Sequence, residues 1–259
     1  MNLHTGSPPP RNLSQRDILG VGVACIGWDD ALGLLRRLIE ERRFTKVSFL
    51  NAHNANVACS DPDFADVLSD FLILPDGIGV DLAGRLLYGE PFPANLNGTD
   101  FIPALLGTID TPLKVGLLGA RRRNADAAAE ALSALAPQHS FVVIHDGYFT
   151  KQQDSMVLSR IGAVRPDILL VAMGVPRQEY WIHHHLTGRH CTMPIAVGAL
   201  LDFLSGAVPR APRWMRRLRL EWLFRMLIEP RRLWRRYVVG NPLFLARVLF
   251  QKFRASGTR

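Results

Sequence analysis

The stretch LKVGLLGARRRNADAAAEALSAL, residues 113–135, decides the fold. Its first part, Leu113–Leu118, is a short apolar run that stops at Gly119, and its second part, from Asn124 to Leu135, reads as an alanine-rich helix. A strand that turns through glycine into a helix is one step of an alternation, and the step repeats in both directions. Upstream, Ile18–Ile26 reads as a buried strand, Asp29–Arg43 as a helix with Leu32, Leu35 and Ile39 on one stripe, and Lys46–Leu50 as a second strand. Asp63–Phe71 reads as a helix, and Leu72–Leu74 as a short strand closed by Pro75-Asp76-Gly77. Downstream, Phe141–His145, Ile168–Met173 and Pro194–Val197 are further strands, each closing on a glycine-containing loop.

Repeated alternation predicts an α/β fold: a Rossmann-like parallel sheet with helices on both faces. Such sheets bind ligands at the carboxyl ends of their strands, so the loops at 51–56, 76–79, 119–123, 146–149, 174–179 and 198–202 should share one rim. Residues 1–15, polar and proline-rich, read as a disordered leader. Residues 16–206 form the α/β domain that carries the chemistry, and 207–259 a basic amphipathic helical appendage. In the appendage Arg213–Glu229 reads as a helix with Trp214, Leu218 and Trp222 on one stripe; Pro230 breaks it and Arg231–Val239 is a short helical piece. Asn241-Pro242 then offers an N-cap and a first-turn proline for the last helix.

The formal charge of +8 is unevenly placed. Residues 1–206 hold 17 Lys and Arg against 21 Asp and Glu, whereas residues 207–259 hold 14 against 2. A mildly acidic body with a strongly basic tail points to an anionic partner for the tail. Arginines beside Trp, Phe and Leu suit an interfacial helix on anionic lipid. They suit nucleic acid less well, because the body has no basic stripe or RNA-binding motif to continue the surface; a plain packing helix with solvated arginines is the third reading. Cys25, Cys59 and Cys191 are too scattered for a disulfide framework or a zinc site, which points to a reducing compartment. No run reaches the roughly 18 apolar residues of a spanning helix. Ile18–Trp28, bracketed by Asp17 and by Asp29 and Asp30, does not read as an export signal. The chain is expected in the cytoplasm, peripheral on the inner face of the cell membrane.

Asp76 stands at a strand end facing the expected rim, where a carboxylate can draw a proton from a hydroxyl nucleophile; Asp-Gly is also ordinary turn chemistry. Asp61-Pro-Asp63 has the spacing of a carboxylate pair for a divalent metal, but it precedes a helical stretch, where capping is the better reading. His183-His184-His185 presents no single coordinating face and reads as exposed helix surface. Neither a dinucleotide fingerprint nor a P-loop is present. Gly116–Asn124 could meet a diphosphate through backbone amides and an arginine, or be a tight turn with solvated arginines.

Taken together, the chain from about residue 18 to 236 resembles the WecG/TagA/CpsF family of glycosyltransferases. The resemblance rests on ordered blocks: Asn51-Ala-His-Asn-Ala-Asn56, Pro75-Asp-Gly-Ile-Gly79, Gly98-Thr-Asp100, Gly116-Leu-Leu-Gly119, Asp146-Gly-Tyr-Phe149, Gly174-Val-Pro-Arg-Gln-Glu179 and Gly198-Ala-Leu-Leu-Asp202. Arg210-Ala-Pro-Arg-Trp214, Leu220-Glu-Trp-Leu-Phe-Arg225 and Glu229-Pro-Arg-Arg232 follow. It implies inverting transfer of a sugar (N-acetylmannosamine, its uronic acid or glucose) from a UDP donor to a sugar on a polyprenyl diphosphate, for a surface polysaccharide, with no metal and no cofactor. It makes Asp76 the base, Tyr148 and Asp202 nucleoside contacts, Gln178 a diphosphate neighbour and Asn51 a pocket residue. Asn54, Gly77, Gly119 and Glu179 of the same blocks join the substrate-binding set. Arg225, Arg232 and Arg235 would fold over the pocket and steady the leaving diphosphate, while the tail docks on an anionic membrane. Two departures from the family's pattern, Phe49-Leu50 before Asn51 and Asn95 ahead of Gly98, fall toward the acceptor side. A non-catalytic nucleotide-binding module whose tail docks a partner or RNA is the alternative, and the oligomeric state, a homo-oligomer included, stays open.

Overall fold

The computed structural model describes residues 13–212, 214–215 and 220–257. It opens on an antiparallel hairpin, β1 (Gln15–Ile18) and β2 (Val21–Ala24). The single strand expected over Ile18–Ile26 is therefore broken, because Leu19 and Gly20 both take positive φ, 57° and 87°. Two successive left-handed residues make the tight turn of a two-residue hairpin. Gln15, counted with the leader, opens β1; residues 1–12 of that leader lie outside the described residues.

The alternation follows: α1 (Trp28–Glu40), β3 (Lys46–Leu50), α2 (Ala52–Ser60), α3 (Pro62–Ser69), β4 (Phe71–Pro75), α4 (Ile78–Tyr88) and α5 (Gly98–Gly107). Then come β5 (Lys114–Gly119), α6 (Arg122–Leu135), β6 (Ser140–His145), α7 (Asp154–Val164), β7 (Ile168–Ala172), α8 (Arg177–His185), β8 (Met193–Ala196) and α9 (Leu200–Leu204). Strands β3 to β8 form one parallel sheet in the order β4-β3-β8-β7-β5-β6. Every residue of β3, β4, β7 and β8 is buried. That is why Ile168-Leu-Leu-Val-Ala172 is continuously apolar instead of alternating: both faces of the sheet are covered. One face packs against α1, α5, α6 and α9 through Leu35, Phe101, Leu132 and Leu201. The other packs against α2, α3, α4, α7 and α8 through Ala55, Phe64, Val80, Ile161 and Ile182. The neighbours β3 and β8 thus send their following helices, α2 and α9, to opposite faces, and a crevice opens between their carboxyl ends.

After the sheet come α10 (Glu221–Ile228), α11 (Pro230–Trp234), a π-helical turn over Arg235–Val239, and α12 (Gly240–Gly257). Residues 216–219 of the helix expected over Arg213–Glu229, with Leu218, lie outside the described residues. No new helix begins at Asn241-Pro242; the helical run is continuous from Pro230. The π turn, in which the Gly240 N–H donates to the Arg235 carbonyl, widens the helix just before a proline that has no N–H to give.

The last helix packs on the α/β body. Phe244 and Val248 of α12 are fully buried within the second core, packed on α2 and α4. Asn56 Nδ2 donates to the Gly240 carbonyl at 2.7 Å, Arg247 donates to the Asn56 carbonyl at 2.9 Å, and Gln251 Oε1 accepts from the Leu19 N–H at 3.0 Å. The last helix is therefore part of the body, while Leu227, Trp234, Phe250 and Phe253 remain exposed. Among the described residues no helix is long and apolar enough to cross a membrane.

Candidate active site

Strand β4 ends at Pro75, and the next residue is held in place from three sides. The Asp76 N–H donates to the Leu50 carbonyl at 2.8 Å, the Leu96 N–H to the Pro75 carbonyl at 2.8 Å, and the Gly77 N–H to Asn95 Oδ1 at 2.7 Å. Gly77 has φ 88°, a conformation natural to glycine, which turns the chain from the strand into α4 and leaves Asp76 at the lip. Across β3, Asn51 caps α2: its Oδ1 accepts from the N–H groups of His53 and Asn54 at 3.1 and 3.2 Å. With its oxygen so committed, its Nδ2 faces Asp76 Oδ2 at 3.4 Å. Capping a helix thus orients a donor toward the carboxylate.

A cavity of about 610 Å³ opens above this pair, roofed by α10 and the helical run that follows it. Desolvation raises the Asp76 carboxyl above the usual carboxylate range; the Asn51 amide pulls it down, as do Arg236 and Arg225, while Glu221 pushes it up. Burial depresses Arg236 and, with the Arg236 charge, brings His53 down to about 4, so the imidazole is neutral at pH 7. The Nε atoms of Arg225 and Arg236 are buried without a hydrogen-bond partner. Unmet buried donors on two guanidiniums beside one carboxylate suit an anionic group in the cavity.

The roof is tied to the body through Arg210, whose Nη2 meets Asp100 Oδ1 at 2.8 Å and whose Nε lies 2.9 Å from Glu221 Oε1. Arg210 and Arg225 both lie over the Phe203 ring, 5.5 and 5.1 Å from its centroid. Sequence reasoning did not single out Arg236, Glu221 or His53 as site residues and took Asn95 only as a departure toward the acceptor side; the structure places all four around the cavity.

Of the residues expected at the site, Asn51, Asp76, Gly77 and Arg225 line this cavity. Arg232 and Arg235 do not: Arg232 pairs with Glu229, and Arg235 lies over Trp234 at 5.5 Å. Leu233 is the buried residue of that turn, so the inward stripe runs through 233, 236 and 237, leaving 232 and 235 outside. Asn54 is buried beneath the rim, its Nδ2 donating to the Phe49 carbonyl at 2.8 Å.

The other expected residues stand at the carboxyl ends of β5 to β8. Tyr148 is 71% exposed. Asp202 Oδ1 accepts from Asn124 Nδ2 at 2.8 Å. Gly119 lets β5 approach β7, since a Cβ there would lie 2.3 Å from the Ala172 carbonyl oxygen. Gln178 is buried; its Oε1 accepts from the N–H groups of Gly174 and Gly198, both at 3.2 Å, and its Nε2 donates to Glu179 Oε1 at 2.9 Å. Glu179, fully buried, also accepts from Ser48 Oγ at 3.0 Å, and desolvation lifts its carboxyl to about 7.

Arg121, Arg122 and Arg123 are exposed, and Arg122 Nε donates to Asp126 at 2.9 Å. Asp61 caps α3 and accepts from the Tyr180 hydroxyl at 2.9 Å. Of the three adjacent histidines only His184 is exposed; His183 lies 3.0 Å from Asp70 and His185 3.6 Å from Asp154. Among the described residues no three His, Cys, Asp or Glu side chains converge as a metal site would need.

The profile of the "Glycosyl transferase WecG/TagA/CpsF family" matches residues 16–258. The chain is 35% identical over 221 residues to an N-acetylglucosaminyldiphosphoundecaprenol N-acetyl-beta-D-mannosaminyltransferase of Bacillus subtilis (strain 168), covering 83% of each chain. It is 34% identical over 177 residues, 68% of each chain, to the protein of that name from Staphylococcus aureus (strain NCTC 8325 / PS 47). A non-catalytic binding module gains no support from these matches. The family match runs through the β4 lip, the crevice strands and the helical roof alike, and the chain belongs to the WecG/TagA/CpsF family of glycosyl transferases.

Proposed function

We propose that the protein transfers N-acetylmannosamine, or a closely related sugar, from a UDP donor to a sugar carried on a polyprenyl diphosphate, with inversion and without a metal ion, in surface polysaccharide synthesis. The observation that carries this reading is the meeting of Asp76, Asn51, Arg225 and Arg236 in one roofed cavity at the sheet's carboxyl edge. Asp76 takes the proton of the acceptor hydroxyl, whose oxygen attacks the anomeric carbon as the bond to UDP breaks. The Asn51 amide holds the carboxylate in line. Arg225 and Arg236 face the negative charge that gathers on the departing diphosphate, in a site where burial strengthens their effect. The nucleoside lies farther along the rim, toward Tyr148 and Asp202, and Gln178 braces the two glycine loops between.

The exposed Trp234, Phe250 and Phe253, with the arginines around them, hold the enzyme on an anionic membrane surface where such acceptors reside. The test is direct. With UDP-N-acetylmannosamine, N-acetylglucosaminyl diphosphate on a short prenyl chain, and EDTA, the full chain forms a disaccharide seen by mass spectrometry. Asp76→Asn lowers turnover by about 10²–10⁴-fold, the usual contribution of a general base, while retaining UDP binding. Turnover by Asp76→Asn at the wild-type rate removes Asp76 from the mechanism, and loss of turnover in EDTA removes the metal-free route.

A further inference from the structure

The cavity over Asp76 has two chemistries. Its polar side carries the carboxylate, Asn51, His53 and the two arginines. Its other side is hydrocarbon: α4 contributes Ile78 and Leu82, and the helical run packed on α4 contributes Val238, Pro242 and Leu245. Leu82 and Val238 line the cavity and yet remain 40% and 55% exposed, so they stand at its mouth. Val238, Pro242 and Leu245 follow one another at four- and three-residue steps, and Leu249, 40% exposed, extends the same stripe by a turn. A sugar nucleotide gains nothing from an apolar mouth beside a charged interior. An amphiphile with a diphosphate head and a hydrocarbon chain matches both ends.

We propose that the groove between Leu82 of α4 and the Val238–Leu249 stripe seats the first isoprene units of the acceptor, so that the lipid chain leaves the active site there and selects acceptors by their chain. This rests on the transfer reading above. Charge complementarity fixes the direction: the polar head goes to the charged interior, where its hydroxyl meets Asp76, and only the hydrocarbon is left for the mouth.

The test uses the full-length enzyme without vesicles, UDP-N-acetylmannosamine, and two soluble acceptors sharing the N-acetylglucosaminyl diphosphate head. One carries two isoprene units and the other a methyl group. For the wild type, kcat/KM with the prenyl acceptor exceeds that with the methyl acceptor at least tenfold. In Leu82→Asp and in Val238→Asp that ratio falls below threefold, with the melting temperature confirming a folded protein. Both side chains are exposed enough for the substitutions to be tolerated, and the ratio is read within each variant, whatever its turnover. A wild-type ratio near one overturns the seat while leaving transfer intact. A ratio that survives in both variants places the chain elsewhere and overturns it too. Absence of product from either acceptor overturns the transfer reading and the seat with it.

Discussion

Arg210 and Asp100 meet at 2.8 Å although 110 residues separate them in sequence. The same guanidinium reaches Glu221 at the start of α10, so one side chain joins the first turn of α5 to the roof of the cavity. Arg210→Ala removes the one guanidinium that meets both Asp100 and Glu221. The expected cost is about 1.5–3 kcal/mol of stability, the range for hydrogen bonds to charged groups, with a fall in kcat/KM as the roof loosens. Arg210→Lys recovers only part, because a point charge cannot serve both partners as a planar fork does. Urea unfolding and steady-state kinetics check this; wild-type behaviour of the alanine variant would show that the roof holds without the bridge.

Arg236 faces the cavity, whereas Arg232 and Arg235 face outward. With a soluble acceptor, Arg236→Ala should cost about 10²-fold in kcat, on the scale of one lost electrostatic stabiliser, and each of the other two alanine variants less than about threefold. Equal losses at the three positions would restore the arrangement that the family resemblance implies.

The buried carboxyl of Glu179 has its value raised from 4.5 to about 7. The folded state therefore binds this proton more tightly than the unfolded state. Its contribution is most favourable below pH 4.5, is lost as pH rises toward 7, and is flat above. The shift corresponds to about 3 kcal/mol at most. Glu179→Gln, which stays neutral, should become more stable relative to the wild type between pH 5 and pH 8 by up to about 3 kcal/mol. Denaturant titrations at both pH values read the difference, and a constant offset would mean that Glu179 ionises freely.

Membrane docking is best tested on the surface of α12. Removing residues 207–259 would strip Phe244 and Val248 from the core, so the truncated chain would fail for the wrong reason. Phe250→Ser with Phe253→Ser alters only exposed rings and should weaken binding to anionic vesicles at least tenfold, with the melting temperature unchanged within about 2 °C. Undiminished vesicle binding in a sedimentation assay would shift docking to another surface.

The parallel sheet was legible because a strand buried on both faces needs a continuous apolar run, and Leu72–Leu74 and Ile168–Ala172 have one. The hairpin was not, since the apolar run through Ile18–Ile26 hides a turn made by Leu19 and Gly20, whose positive φ values no composition reveals. At the site, Asp76 could be read because it ends a strand on the expected rim, and Asn51 because it opens a block shared with the family. Arg236 was missed although its signal was present: Leu233 and Tyr237 mark the inward stripe, and 236 lies on it while 232 and 235 do not. The join of Arg210 to Asp100 and Glu221 depends on how the roof returns to the body, which no local pattern encodes. Nor does a proline after a π turn announce a continuous helix, because the same Asn-Pro pair commonly starts one.

Ala211 on one side and Phe244 with Val248 on the other are sunk in the body, and the segment that covers Asp76 hangs between them. It is moored at two posts, like the handle of a bucket. A cover fixed at both ends stays with the body, and that keeps Arg225 and Arg236 beside the same carboxylate.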